Sequence, residues 1–359
     1  MTLAKSVVED CLRITEDDNV TVFLYPHNIP LAEEIAEECF RKGADVNLSL
    51  YTDRYMESYH RLLPVENLKR PSVFCKALTE NSTAEFFLGG VYDPMTLRKI
   101  QPEKNAAASE GETKAHFPLS REKKVRTLSI GLASVTKPRA KAYGFDYAKW
   151  DRIVRSASSV DYKKLAATGR GLANSLKDAG TVTVTGPGGT RLSFDVSGRH
   201  WRVSDGIIDE EDMRTENFDD EVPSGVVYTT PVEDSASGSV ALNAPTPFMG
   251  TTVEGLRLSF KGGRLAQLSG GASIARLKKE YTSGSGEKDR IAYFGIGFNP
   301  KAKVGYLNNN VAYGAVSIGF GGNEFLGGNN KANFTYVGTI EGATVRAGGK
   351  TIVKDGRIA

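Results

Sequence analysis

Two halves of different texture predict a chain of mixed class. An amino-terminal α/β domain on a doubly wound parallel sheet is followed by a β-rich, mainly antiparallel domain of the α+β type. In the first third of the 359 residues, short apolar runs alternate with amphipathic helical stretches. From Thr181 onward, short β segments are punctuated by glycine turns. One helical stretch, 161–180, bridges the two textures.

Taken in order, NVTVFLYP (19–26) reads as a buried strand, IPLAEEIAEECFRKG (29–43) as a helix stopped at Gly43, and DVNLSLYTD (45–53) as a second strand. AEFFLGG (84–90) and VRTLSIGLA (125–133) add two more. Strands joined by helical crossovers form a mostly parallel sheet. Ligands of such sheets sit beyond the carboxyl ends of the strands, which draws attention to Pro26, His27 and Asn28. A single histidine there is more often a loop residue with its bonds made than a catalyst. After the bridging helix, TVTVTGPGGTRLSFDVSG, GLRLSFKGGRLAQLSGG and GATVRAGGKTIVKDGRIA follow hairpin grammar. The expected division is 1–155 and 156–359.

Composition narrows the function classes. With 40% hydrophobic and 25% charged residues and no apolar run of membrane length, the chain is a soluble globular protein with no membrane partner expected. The opening MTLAKSVVEDCLRITEDDN places acidic residues where a secretory signal would be apolar, so a cytoplasmic address is expected. Cys11, Cys39 and Cys75 are too sparse for a disulfide framework or a zinc knuckle and read as buried small hydrophobes. The net charge of +3 hides blocks: 11 basic against 3 acidic residues in 113–155, and 1 against 9 in 205–221. The basic block contains a strand-like segment and no nucleic-acid module, so it reads as a solvated face and no nucleic-acid partner is expected. The acidic block lacks the spacing of a calcium loop and reads as a surface loop facing the basic block.

Familiar catalytic patterns fail. TGPGGT (185–190) lacks the Lys-Ser/Thr of a phosphate loop and joins two strands, and FGIGF (294–298) and FGGNEFLGG (320–328) miss the dinucleotide fingerprint. All four histidines lie at or before His200, so residues 201–359 hold neither histidine nor cysteine. A metal site there would have to be built from oxygen ligands alone.

From about residue 140 onward the chain resembles the aminopeptidase T-like family of cocatalytic metalloaminopeptidases, whose fold the 2,5-dihydroxypyridine dioxygenases share. The landmarks, in order, are DYKKLAATGRGLANSLKDAGTVTVTGPGGTRLSFDVSGRHW, DDEVPSGVVYTTPVEDSASGSV, FGIGFNPKAKVG and GAVSIGFGGNEFLGGNNKANFTYVG. The resemblance implies an aminopeptidase T-like second domain and a homodimer. It also implies five metal-ligand positions, and these carry Val226, Tyr293, Ser317, Asn333 and Thr335 in place of the family's glutamates, histidines and aspartate. Valine offers no donor, and a pair of dications without carboxylates would repel each other uncompensated. The expectation is a degenerate member with no metal, no cofactor and no catalytic residues, whose five positions line a neutral, hydrogen-bonding pocket for a peptide or small amine.

Arg199, Glu233, Asp234, Asn299 and Asn323 match the family pattern. Arg199 and Asn299 are expected to hold loops through local hydrogen bonds, and Glu233 to meet the amino terminus of a bound peptide. Presentation of that peptide to a partner enzyme, for instance in maturation of a peptide natural product, is one expected role. The alternatives are an enzyme of altered chemistry on the same fold, or a structural dimer.

Overall fold

The computed structural model describes residues 2–359, with the side chains of all but Thr113 and Ala115. The chain forms two compact units: 1–162 with 205–224, and 163–204 with 225–359. The first opens with β1 (Asn19–Leu24), β2 (Asp45–Leu50), β3 (Ala84–Leu88) and β4 (Arg126–Ile130). The chain then passes into the second unit for β5 (Thr181–Gly186), β6 (Thr190–Asp195) and β7 (Arg202–Ser204), and returns to the first for β8 (Asp219–Val222). Twelve strands complete the second unit. They are β9 (Val226–Thr229), β10 (Ser237–Leu242), β11 (Thr246–Phe248), β12 (Thr251–Val253), β13 (Leu256–Lys261), β14 (Arg264–Ser269), β15 (Ile291–Gly297), β16 (Val316–Gly321), β17 (Thr335–Ile340), β18 (Thr344–Ala347), β19 (Lys350–Lys354) and β20 (Arg357–Ile358).

In the first unit all five strands run parallel in the order β2-β1-β3-β4-β8. The central strands are apolar because both faces are covered, with Val22, Phe86 and Leu128 almost fully buried. The helix Ile29–Arg41 follows β1 and buries Ala32, Ile35, Ala36 and Cys39, the one-sided spacing expected of a helix laid on a sheet. The order reverses beside β1, so the switch point that attracts ligands in such sheets lies between β1 and β3.

The segment 205–224 is where the structure departs from the sequence reading. Division at residue 155 assigns it to the second domain, yet β8 closes the first sheet. Thr127 pairs with Asp219, Leu128 with Asp220 and Ser129 with Glu221. The acidic block is therefore not a loop but a short helix, Glu210–Arg214, and an edge strand. It meets the basic block through a backbone ladder within one unit. Asp-rich strands have little intrinsic β preference, and this one is held by pairing with β4 from far along the chain.

The second unit holds an eight-stranded sheet, β14-β13-β10-β6-β5-β18-β19-β20, and a five-stranded sheet, β17-β16-β15-β9-β7, both antiparallel. Side chains from one face of each form a shared core. Phe194 of β6 meets Phe294 of β15 edge to face at 5.0 Å, and Trp201 packs on the same ring at 5.9 Å. No helix among the described residues is long and apolar enough to cross a membrane.

Candidate functional site

Four of the five positions singled out by the resemblance fall on β9, β15, β16 and at the start of β17, neighbouring strands of the five-stranded sheet. Residues paired across an antiparallel ladder share a face, as do alternate residues along one strand. Val226 pairs with Gly297 and Tyr228 with Gly295; Gly295 also pairs with Ser317, Ser317 with Thr339, and Gly321 with Thr335. Val226, Tyr293, Ser317 and Thr335 therefore lie on one face, opposite Phe294 and the core. Asn333 precedes β17 and lies outside that strand.

That face is filled by its own side chains. The Tyr293 ring stacks on Tyr228 with centroids 5.5 Å apart and planes at 22°. Two glycines make room for it. A Cβ at Gly295 would come within 2.6 Å of the Tyr293 hydroxyl oxygen, and one at Gly319 within 2.8 Å of the Tyr293 Cβ. Ser317 is 0% exposed, and its Oγ shares a hydrogen bond of 2.9 Å with Thr339 Oγ1. Thr335 Oγ1 donates to the Gly322 carbonyl at 2.7 Å, and Asn333 Oδ1 accepts from the Ser285 amide at 2.7 Å. Tyr228 and Thr339, which complete these contacts, carry no signal in the sequence, because their role depends on strand register.

These residues do not fit a pair of cocatalytic dications. Valine has no donor atom, the hydroxyls of Ser317 and Thr335 already have partners inside the protein, and no carboxylate or imidazole stands among the five. Among the described residues no three His, Cys, Asp or Glu side chains gather into a metal-ligand group.

Glu233 is held by two neighbours within the protein. Arg199 Nη2 donates to its Oε2 at 2.5 Å, and Asn329 Nδ2 donates to its Oε1 at 2.9 Å. Partial burial pushes the carboxyl upward. Hydrogen bonds from its own backbone amide, Arg199 and Asn329, with the charge of Arg199, outweigh that and hold it below the usual glutamate range. An approaching ammonium would meet a carboxylate already engaged on both oxygens. Arg199 thus reaches 34 residues along the chain instead of bonding locally. Asn299 and Asn323 do hold turns: Asn299 Oδ1 accepts from the amides of Lys301 and Ala302, and Asn323 Oδ1 from that of Asn330.

Elsewhere, the sequence reading holds for two of the cysteines: Cys11 and Cys39 are buried, and Cys75 is half-buried. His27 follows β1 as expected; its Nε2 lies 3.1 Å from the Ala133 carbonyl oxygen, with Nδ1 buried and unpartnered. Arg139, which the sequence reading leaves on a solvated basic face, is 7% exposed.

Comparison with known proteins agrees with this architecture. The fold superposes on wild-type AmpT from Thermus thermophilus with a TM-score of 0.76 at 15% identity, covering 99% of this chain and 98% of that one. It also superposes on the 2,5-dihydroxypyridine dioxygenase of Pseudomonas putida KT2440 with a TM-score of 0.65, likewise at 15% identity and over 99% and 96% of the two chains. No curated protein sequence matched. The family model for thermophilic metalloproteases (M29) matches residues 1–283, a span that includes Val226 and ends before Tyr293, Ser317, Asn333 and Thr335. The chain belongs to the M29 thermophilic metalloprotease family.

Proposed function

We propose that this family member is a non-catalytic, metal-free protein that binds a peptide or small amine without hydrolysing it. The observation that carries the reading is the sheet face of Val226, Tyr293, Ser317 and Thr335. There Val226 offers no donor atom, the Tyr293 ring stacks on Tyr228, and the hydroxyls of Ser317 and Thr335 are bonded within the protein. Glu233, partly exposed and held ionised by Arg199 and Asn329, is the proposed contact for a ligand amino group. A ligand presented in this way to a partner enzyme, by a cytoplasmic homodimer, would account for a scaffold that keeps its fold without its chemistry.

Elemental analysis for zinc, cobalt, manganese and iron, before and after metal loading and desalting, tests the reading together with turnover of aminoacyl p-nitroanilides. Substoichiometric metal, no turnover above a blank and saturable binding of free-amino peptides are expected. One or two ions retained per chain, or turnover abolished by a chelator, would overturn it. So would a failure of peptides and simple amines alike to bind.

A further inference from the structure

The carboxyl edge of the parallel sheet in the first unit holds a second group of polar side chains, unrelated to the face described above. The loop after β3 runs through Gly89, Gly90, Val91 and Tyr92, and is clamped from three sides. Asp53 accepts from the amides of Tyr92 and Asp93 at 2.7 and 2.9 Å. Thr136 Oγ1 donates to the Tyr92 carbonyl at 2.8 Å, and Arg139 Nη2 to the Val91 carbonyl at 2.5 Å. Gly89 has φ +68°, and a Cβ there would lie 2.7 Å from the Ala133 carbonyl oxygen, the atom that also meets His27 Nε2. A Cβ at Gly90 would find only Arg139 Nη2, at 3.7 Å. Asn28 closes the floor with a bond of 2.9 Å to the Leu88 carbonyl. The loop is therefore held rigidly, with exposed Gly89 leading to a buried guanidinium.

Arg139 is more than nine-tenths buried, its Nε has no hydrogen-bond partner, and among the described residues it forms no ion pair, the Asp53 carboxylate acting on it only from beyond that distance. Two further groups bear on it. His27 Nδ1 is buried and unpartnered, and the half-exposed His27 ring lies 5.2 Å from that of Tyr92. Burial lowers the proton affinity of His27, so its ring is neutral near pH 7. His27 Nε2 lies 3.1 Å from both the Ala133 carbonyl oxygen and Asn28 Nδ2; the carbonyl can only accept, and Asn28 Nδ2 already donates to Leu88, so we assign the ring proton to Nε2, which leaves Nδ1 as the acceptor. A buried charge without a directly paired counter-ion is costly, and a guanidinium cannot relieve the cost by giving up its proton.

We infer that the β1/β3 switch point binds a small carboxylate that has a hydrogen-bond donor beside it, the carboxylate on Arg139 and the donor on His27 Nδ1. Tyr92, exposed beside the imidazole, offers a ring for a planar body of the ligand. This inference rests on the first unit alone and stands or falls apart from the reading of the second.

Mandelate carries a carboxylate, an adjacent hydroxyl and a ring, and serves as the probe. It is titrated into the full chain while the amide resonances of Gly89 and Gly90 are followed. Saturable shifts at both glycines are expected, with 1-phenyl-1,2-ethanediol, its uncharged relative, binding at least tenfold more weakly. Arg139→Met should weaken mandelate at least tenfold while far-ultraviolet circular dichroism is unchanged. Should that variant fail to fold, the charged and uncharged probes on the native chain decide the matter alone. No saturable shift with mandelate, equal binding of the diol, or inorganic phosphate binding in place of mandelate would overturn the assignment.

Discussion

The sheet face of the second unit and the sheet edge of the first treat buried polar atoms in opposite ways. On the face, Ser317 and Thr339 close on each other and Thr335 closes on backbone, as Asn333 does just before the strand. At the edge, Arg139 Nε and His27 Nδ1 are buried with nothing to meet them. A polar atom that finds its partner inside the protein has no unmet demand, whereas one left open costs stability unless something arrives to satisfy it. Ancestry therefore points to the face while unmet hydrogen bonding points to the edge. In this chain the two criteria no longer select the same place.

The first unit contains a control for that argument. Glu85 on β3 is 0% exposed, neither oxygen has a hydrogen-bond partner of ordinary geometry, Thr79 stands near enough to oppose the effect of burial only in part, and His116 Nε2 is 3.7 Å away. Burial pushes the Glu85 carboxyl up to about 7, so it is mostly protonated only below neutrality, and burial lowers His116 from its ordinary value. Unlike an arginine, a glutamate can escape an unpaired charge by taking up a proton. Its folded value lies above its unfolded one, so the native state binds the extra proton between about pH 4.3 and pH 7, and stability falls as pH rises through that window. Glu85→Gln should remove the slope, making the variant more stable than the parent at pH 8 by up to about 3 kcal/mol. Urea unfolding at pH 5 and pH 8 measures it. Equal slopes in both proteins would mean that Glu85 has a partner in solution and that the contrast with Arg139 is void.

The closed face allows a sharper test. Ser317→Ala leaves Thr339 Oγ1 buried without a partner and should cost about 1–2 kcal/mol. Thr339→Val added to it removes the orphan and should return part of the loss, a coupling visible in a double-mutant cycle. If Ser317 instead served a ligand, the single variant would be nearly neutral in stability and the two changes would simply add.

Much of the fold was legible in local pattern. β1, β2, β3 and β4 fall inside the apolar runs quoted for them, and the helix Ile29–Arg41 stops just before Gly43, whose φ of +86° ends it. What escaped depends on contacts far apart in sequence. β8 reads as an acidic loop because its pairing with β4 spans 92 positions between Thr127 and Asp219. Arg139 sits among cations, and composition cannot separate its buried guanidinium from its more exposed neighbours. The shared face of Val226, Tyr293, Ser317 and Thr335 rests on the register of four strands, which no single segment encodes. Glycine held the best remaining signal: Gly295 and Gly319 are small because a tyrosine lies across them.

Glu233 lies between the two regimes, paired yet still reachable, and its effect on stability should be the smallest of the set. Glu233→Gln removes the ion pair with Arg199, whose side chain is 17% exposed, against 22% for Glu233. Solvent screening keeps the cost at or below about 1 kcal/mol. The folded carboxyl titrates below its ordinary value, so its contribution is complete above about pH 4.3 and is lost as pH falls through the lowered value. Parent and variant should therefore differ slightly at pH 7 and converge towards pH 3. Ligand binding separates the two roles this carboxylate could have. As the contact for an amino group, its loss should abolish the preference for free-amino over acetylated peptides while stability barely changes. If it only anchors Arg199 and Asn329, the small stability cost remains and the preference is untouched.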